Sequence, residues 1–316
     1  MPLVKVQSRG TEEVGGAVKN LIINGSMAIN QRGATSGVTS GYFVDRFTLS
    51  GCSASAVITS NTPTEFPTAI TVSATSGNPI VTQRIESKNV QHLSGKVVTA
   101  SFFAKNVSNA TTLYASLQYA GSADNFGSTT TITEHNLGSL SSDWVKYTAS
   151  WTVPSGGLNG LALNILCAGS STFTMGVTGV MLQEGSIATP FEHLSYGESL
   201  ALCQRYCFDI NPATGASPNT PYIMPVAIYN STLAISQVNF PCEMRATPTT
   251  TLTGAAADFS IVEGALTRVC TGFQANGMSS VGGGMTWTVN AGGMTTANAG
   301  NVYIESNKRA IFDAEL

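Results

Sequence analysis

The feature that most constrains this chain is an alternation of apolar and polar side chains with a period of two, interrupted every few residues by Gly, Pro, Asn or Ser. In Lys96–Lys105, Val98, Ala100, Phe102 and Ala104 fall on one face of an extended backbone. In Trp144–Trp151, Val145, Tyr147, Ala149 and Trp151 share one face, and Trp144, Lys146, Thr148 and Ser150 the other. Runs of the same kind occur at Tyr42–Leu49, Ala69–Ala74, Leu113–Tyr119, Leu161–Cys167 and Phe173–Leu182. This pattern predicts an all-β protein whose first large domain is an antiparallel β-sandwich or jelly roll.

Helices are scarce for a reason that the composition supplies. Charged residues are 10% of the 316, against about 25% in an ordinary globular chain. Long solvated helices need more Glu, Lys and Arg than that. One helix is expected, over Ser195–Tyr206, where Ser195 and Glu198 form a capping box. Leu202, Tyr206, Cys203 and Cys207 would be its apolar stripe, and Arg205 suits its C-terminal end. Beyond it the strand pattern returns at Ile223–Tyr229, Leu233–Val238, Leu266–Phe273, Met285–Val289, Val302–Ile304 and Ala310–Ala314. The sequence therefore divides into an N-terminal arm (1–19), a β-sandwich (20–193), a short linking helix (194–207) and a smaller C-terminal β domain (208–316). Gly-Gly-Met-Thr occurs at 283–286 and 292–295 and reads as hairpin loops rather than a solenoid repeat.

The same arithmetic limits function. Fifteen Lys and Arg against 18 Asp and Glu give a net charge of −3, which supplies no basic surface for nucleic acid. No apolar run approaches membrane-spanning length. Met1–Asn20 carries Lys5, Arg9, Glu12 and Glu13 with no apolar core, unlike a signal peptide. The expectation is a protein made and assembled in a cytoplasm, without membrane insertion. The six cysteines are scattered, and Cys203 and Cys207 have no second pair for zinc, so reduced thiols are expected and neither metal nor cofactor. Asn24-Gly-Ser, Asn106-Val-Ser, Asn109-Ala-Thr and Asn230-Ser-Thr match the glycosylation sequon by coincidence in such a chain.

Catalytic motifs are missing: there is no phosphate-cradling loop, no nucleophile elbow and no His-Glu-x-x-His. His92, His135 and His193 stand alone in their segments. Glycoside hydrolysis needs two carboxylates paired in space, and Asp45, Glu65, Glu86, Asp124, Glu134, Asp143, Glu184 and Glu192 are the candidates in the larger domain, none singled out locally. No catalytic residue is assigned. Carbohydrate binding fits the chemistry better, because aromatic faces stack on sugar rings and neutral amides and hydroxyls bond their hydroxyls. Trp144, Tyr119 and Trp287 are the candidate platform residues; packing in cores or subunit contacts is the competing reading of all three.

Three sets of segments carry a resemblance. Asn20-Leu-Ile-Ile-Asn-Gly-Ser-Met-Ala-Ile-Asn-Gln-Arg-Gly33 followed by Tyr42-Phe-Val-Asp-Arg-Phe47 resembles the opening of a β-sandwich domain of bacteriophage fibre proteins. Val180–Glu192 running into Ser195–Tyr206 resembles the end of that domain and the start of the next module, and Phe240–Pro248 with Phe312–Leu316 is similar to the closing module. The resemblance implies a virion fibre or surface-decoration subunit with a sandwich like a carbohydrate-binding module. It would be docked to capsid or tail proteins through residues 1–19 and displayed as a homotrimer. With no heptad run, β-domain faces would hold the trimer together. A glycan-gripping receptor-binding protein and a polysaccharide depolymerase are the alternatives. Gly25 and Gly33 are expected to permit turns at either end of a first strand, and Pro190 to end the last. Arg46 and Arg205 are expected to stack or pair in the inter-module seam.

Overall fold

A computed structural model describes residues 20–210, 222–290, 292–304 and 308–316; the predicted docking arm, 1–19, lies outside them. The chain is all-β, with two α-helices among the described residues, α1 (Ser87–Val90) and α2 (Tyr196–Gln204). The first module holds β1 (Gly41–Tyr42), β2 (Phe47–Ser50), β3 (Ala54–Ile58), β4 (Ala69–Ala74), β5 (Ile80–Ile85), β6 (Val97–Ser122), β7 (Asn125–Ser139), β8 (Val145–Thr152) and β9 (Leu161–Glu184).

Two of these strands are long enough to serve in both layers of a sandwich. The start of β6 pairs with β8 and with the end of β9, whereas its second half pairs with β7 and the start of β9. Likewise β9 pairs first with β5 and then with β4. One layer therefore runs β1-β2-β5-β9-β6-β7 and the other β3-β4-β9-β6-β8. Register shifts between Asn106 and Thr112 mark the corner, the device by which strands change sheets. The runs read separately at Lys96–Lys105 and Leu113–Tyr119 are thus one strand, as are Leu161–Cys167 and Phe173–Leu182. Alternation set the faces correctly: Val98, Ala100, Phe102 and Ala104 are fully buried between the layers.

The run Tyr42–Leu49 is not one strand. Asp45 and Arg46 make a tight turn between β1 and β2, with Arg46 at φ +72°, and Phe47 N–H donates to Val44 O at 3.0 Å. No strand forms over 20–33; this stretch is a series of turns lying against β5 and β9. Its anchors are Gln83, whose amide pairs with both backbone groups of Ile23, and the buried Asn24, whose amide bonds Ile29 and Asp45 carbonyls at 2.9 Å. Gly25 is needed for close approach, since a Cβ there would overlap the carbonyl of Val180. Strand β9 ends at Glu184, well before Pro190.

Helix α2 has the predicted capping box, with Glu198 N–H bonded to Ser195 Oγ and Ser195 N–H to the Glu198 carboxylate. Cys203, Tyr206 and Cys207 are buried below it, but Leu202 is 42% exposed and does not belong to the stripe. Cys207 lies beyond the helix, at the start of β10 (Cys207–Ile210). The remaining strands are β11 (Tyr222–Asn230), β12 (Leu233–Asn239), β13 (Thr249–Leu252), β14 (Phe259–Glu263), β15 (Leu266–Ser279), β16 (Gly282–Val289), β17 (Ala299–Ile304) and β18 (Ala310–Asp313). They build a small sheet, β10-β18-β13, and a closed barrel, β11-β12-β16-β15-β14-β17. The first Gly-Gly-Met-Thr is strand, not loop: Gly283 and Gly284 pair inside β16, where a Cβ on Gly283 would collide with Met278.

The modules meet in a seam built largely from residues 20–33, 42–47, 195–206 and 312–316. The Arg46 guanidinium lies 3.4 Å above the Tyr206 ring and pairs with the Glu315 carboxylate. Arg32 reaches Asp313 at 2.7 Å, Gln31 bonds Asp45 and the Cys207 carbonyl, and Arg309 pairs with Asp209 and the Gln31 carbonyl. Outside this cluster, Arg205 grips both oxygens of Glu86 at 3.0 Å, the fork geometry that suits arginine. Glycine at 33 has φ +68°, and a Cβ there would meet the Arg309 guanidinium.

Burial pushes the Asp209 carboxyl up to about 6 against the pull of Arg309, and its Oδ1 has no hydrogen-bond partner among the described residues. A carboxyl that holds its proton more tightly folded than unfolded, where its value is about 3.9, contributes stability that grows as pH falls. The denaturation midpoint should rise between pH 7 and pH 5, and Asp209→Asn should flatten that rise. An identical slope in the variant would refute this assignment.

Candidate functional site

The outer face of the six-stranded layer carries side chains that alternate against the core residues of each strand. Register places them in three rows across the sheet. One row runs Tyr42, Thr48, Thr82, Asn164, Ser116 and Glu134. To one side lies Arg84, Ala162, Gln118 and Thr131, and to the other Ser50, Ile80, Leu166, Tyr114 and Asn136. Six strands at about 4.8 Å spacing make this face about 24 Å wide.

At its centre the small Ala162 leaves a depression of about 260 Å³, walled by Thr48, Thr82, Asn164, Gln118 and Arg84 with Phe126 at the rim. The polar walls are held by one another. Thr82 Oγ1 donates to Asn164 Oδ1 at 2.7 Å, and Asn164 Nδ2 to Ser116 Oγ at 3.2 Å. Thr129 Oγ1 donates to Gln118 Oε1 at 3.0 Å, and Gln118 Nε2 to Thr131 Oγ1 at 3.2 Å. The Arg84 guanidinium sits 5.3 Å over the Phe126 ring. Such a surface offers hydroxyl and amide donors and acceptors on a rigid support, with a single charged side chain, Arg84, in its lining among the described residues.

The residues singled out from sequence do not meet here. Trp287 is fully buried inside the barrel, its indole N–H bonded to Ser236 Oγ at 2.9 Å, so it presents no face to a ligand. Tyr119 points inward against the sandwich core, under the turn at Gly156. Trp144 is half-buried on the outside of the other layer, with Nε1 bonded to Asn61 O at 2.7 Å and Lys105 Nζ 5.6 Å from its ring. The groove residues were not found from sequence: Thr82, Asn164, Ser116 and Gln118 are ordinary polar positions whose meeting depends on register.

The histidines are scattered: His135 touches Ser150 O, His193 stacks on Phe66 and meets Phe191 edge-on, and His92 lies 3.7 Å from Glu184. Several of the carboxylates considered for hydrolysis are engaged separately. Asp45 accepts from Gln31, Glu86 from Arg205, Asp124 from Ser87 N–H, Glu184 from Lys96 and Glu192 from Asn20 N–H. Among the described residues no group of three or more His, Cys, Asp and Glu is arranged to hold a metal ion, and no helix is long and apolar enough to cross a membrane.

No family model and no curated protein matches the chain. Solved structures do. The enzymatically active domain of tailspike protein 4 of bacteriophage CBA120 is 17% identical over 52% of this chain, with a TM-score of 0.36, and the match spans 21% of that chain. TmCBM61, a module solved in complex with β-1,4-galactotriose, is 12% identical over 53% of this chain and 99% of its own, at 0.36. The xylan-binding CBM22-1 domain of Paenibacillus barcinonensis Xyn10C is 13% identical over 54% of this chain and 98% of its own, at 0.35. By its own architecture the chain is a two-module all-β protein, a sandwich clamped to a barrel.

Proposed function

We propose that the chain is a non-catalytic structural subunit of a bacteriophage virion, a fibre or surface-decoration protein that holds host surface glycans in the groove of its sandwich. The observation that carries the binding half is the network of hydroxyls and amides, Thr82, Asn164, Ser116, Gln118, Thr129 and Thr131, in and beside the depression. Sugars present many weak hydroxyl partners and little charge, and a rigid sheet meets them without ordering cost. The virion half is supported by the fibre-like segments 20–33, 42–47, 195–206 and 312–316, which supply most of the residues that lock the modules together. Binding without hydrolysis suits a depression whose lining, among the described residues, holds no carboxylate, since glycosidases use two.

An array of bacterial surface polysaccharides tests the reading. The wild-type protein should bind at least one glycan, and Asn164→Ala or Gln118→Ala should weaken that binding about tenfold, the equivalent of about 1.4 kcal/mol. Binding unchanged by both variants would move the site elsewhere; a silent array would end the glycan reading. Release of reducing ends from the bound polysaccharide would favour a depolymerase.

A fibre or decoration role also predicts self-association through β faces into a trimer. Light scattering should give three times the mass of the chain, and a strict monomer at high concentration would count against it. Docking to capsid or tail proteins through residues 1–19 predicts that their deletion abolishes incorporation into particles while the rest still folds.

A further inference from the structure

We propose that residues Asp313–Leu316 act as a strap, delivered by the C-terminal module, that holds Arg84 in the groove as a ligand-binding donor. This rests on the glycan reading above and adds that the sandwich does not complete its own site. Among the described residues Arg84 is the one charged side chain lining the depression. A long arginine on an open sheet samples many rotamers unless something fixes it. Two contacts do so here: its guanidinium lies over the Phe126 ring, and its Nη1 donates to the main-chain oxygen of Leu316. Its backbone carbonyl accepts from Arg46 Nη2 at 2.6 Å, which ties the strand beneath it to the same seam. Leu316 O also accepts from the Tyr42 hydroxyl at 2.9 Å, and Tyr42 ends the row that holds Thr82 and Asn164.

The strap is fixed from both sides. Arg46 and Arg32 of the sandwich hold Glu315. Arg245 of the C-terminal module donates to Ala314 O at 2.7 Å and Glu315 O at 2.8 Å, and Asp313 closes β18 beside β10 and β13. Held in this way, Arg84 makes no hydrogen bond through Nε–H or Nη2 to the described residues, so its planar fork is aimed at a ligand. Preorganisation of this kind adds affinity by removing an ordering cost from the binding step.

The experiment uses the full chain, with the polysaccharide array as probe and NMR as a ligand-free readout. Three variants are compared: deletion of Leu316, Tyr42→Phe and Arg84→Lys. Deletion of Leu316 should abolish the nuclear Overhauser contact between Arg84 and the Phe126 ring and weaken glycan binding about tenfold. Arg84→Lys, which keeps the charge and loses the fork, should weaken binding equally. Combined with the deletion it should cost nothing more, because both act through one contact. Tyr42→Phe should give a smaller loss in the same direction, and with Arg84→Lys it carries the test if the deletion fails to fold. Persistence of the Arg84–Phe126 contact in the deletion would overturn the strap. So would wild-type affinity in a chain whose Asn164→Ala form no longer binds, which leaves the glycan reading standing. A wild-type protein silent on the array defeats that reading itself.

Discussion

Arg46→Ala is expected to lower the stability of the chain by about 3–5 kcal/mol, the loss typical when one partner of a buried ion pair is removed. Arg46 is 1% exposed and the Glu315 side chain 3%. Burial pushes the Glu315 carboxyl above its usual range, against the pull of Arg46 and Arg32. Without Arg46 the carboxylate keeps, among the described residues, Arg32 at 3.5 Å as its paired cation, and the Tyr206 ring loses the cation that covers its face. The backbone works the other way, since Arg46 sits at φ +72°, where a non-glycine residue is strained. Arg46→Gly should therefore be less damaging than Arg46→Ala, by about 1 kcal/mol. Replacing the pair together, Arg46→Met with Glu315→Leu, should recover most of the loss, because apolar substitutes avoid the desolvation of two charges. The denaturant midpoint reads all four proteins. Equal midpoints for wild type and Arg46→Ala would show that the seam contributes nothing to stability.

Trp287→Ala should cost about 3–5 kcal/mol and act on the barrel alone. The indole is the largest fully buried side chain, packed 5.6 Å from Phe259 and 6.2 Å from Phe273. Its removal leaves a cavity, and the hydroxyl of Ser236 loses its donor. Trp287→Phe should cost less, since it fills part of the space. Neither substitution should change glycan binding under conditions where the barrel stays folded, because the groove lies in the other module. Near-ultraviolet dichroism of the barrel and array binding, measured together, separate the two roles. Lost binding with intact stability would return Trp287 to the list of ligand contacts.

Local rules read well over short stretches. The apolar set Val98 to Ala104, whose polar neighbours Thr99 and Ser101 are buried too, and the Ser195–Glu198 box are cases in which neighbours in sequence decide the outcome. The inward aim of Trp287 and Tyr119 was also legible: Trp287 shares its face with Met285 and Val289, and Tyr119 with Ala115 and Leu117, all buried. Aromatic character outweighed that parity. Strand β7 escaped notice because most of its residues are exposed and it shows no apolar alternation. The groove was hidden more deeply. Thr82, Asn164 and Ser116 become neighbours only through the pairing of β5, β9 and β6, and register between distant strands is not written in any one of them. The break at Arg46 likewise depends on an anion, Glu315, contributed 269 residues later.

Strands β6 and β9 each run through both layers, which bears on mechanics. A sandwich of separate sheets can be peeled apart by breaking side-chain contacts alone. Here the two halves share continuous backbone at a common corner, so prising them open means tearing the hydrogen bonds between β6 and β9 themselves. Under tension the module would yield as one stiff unit rather than in stages.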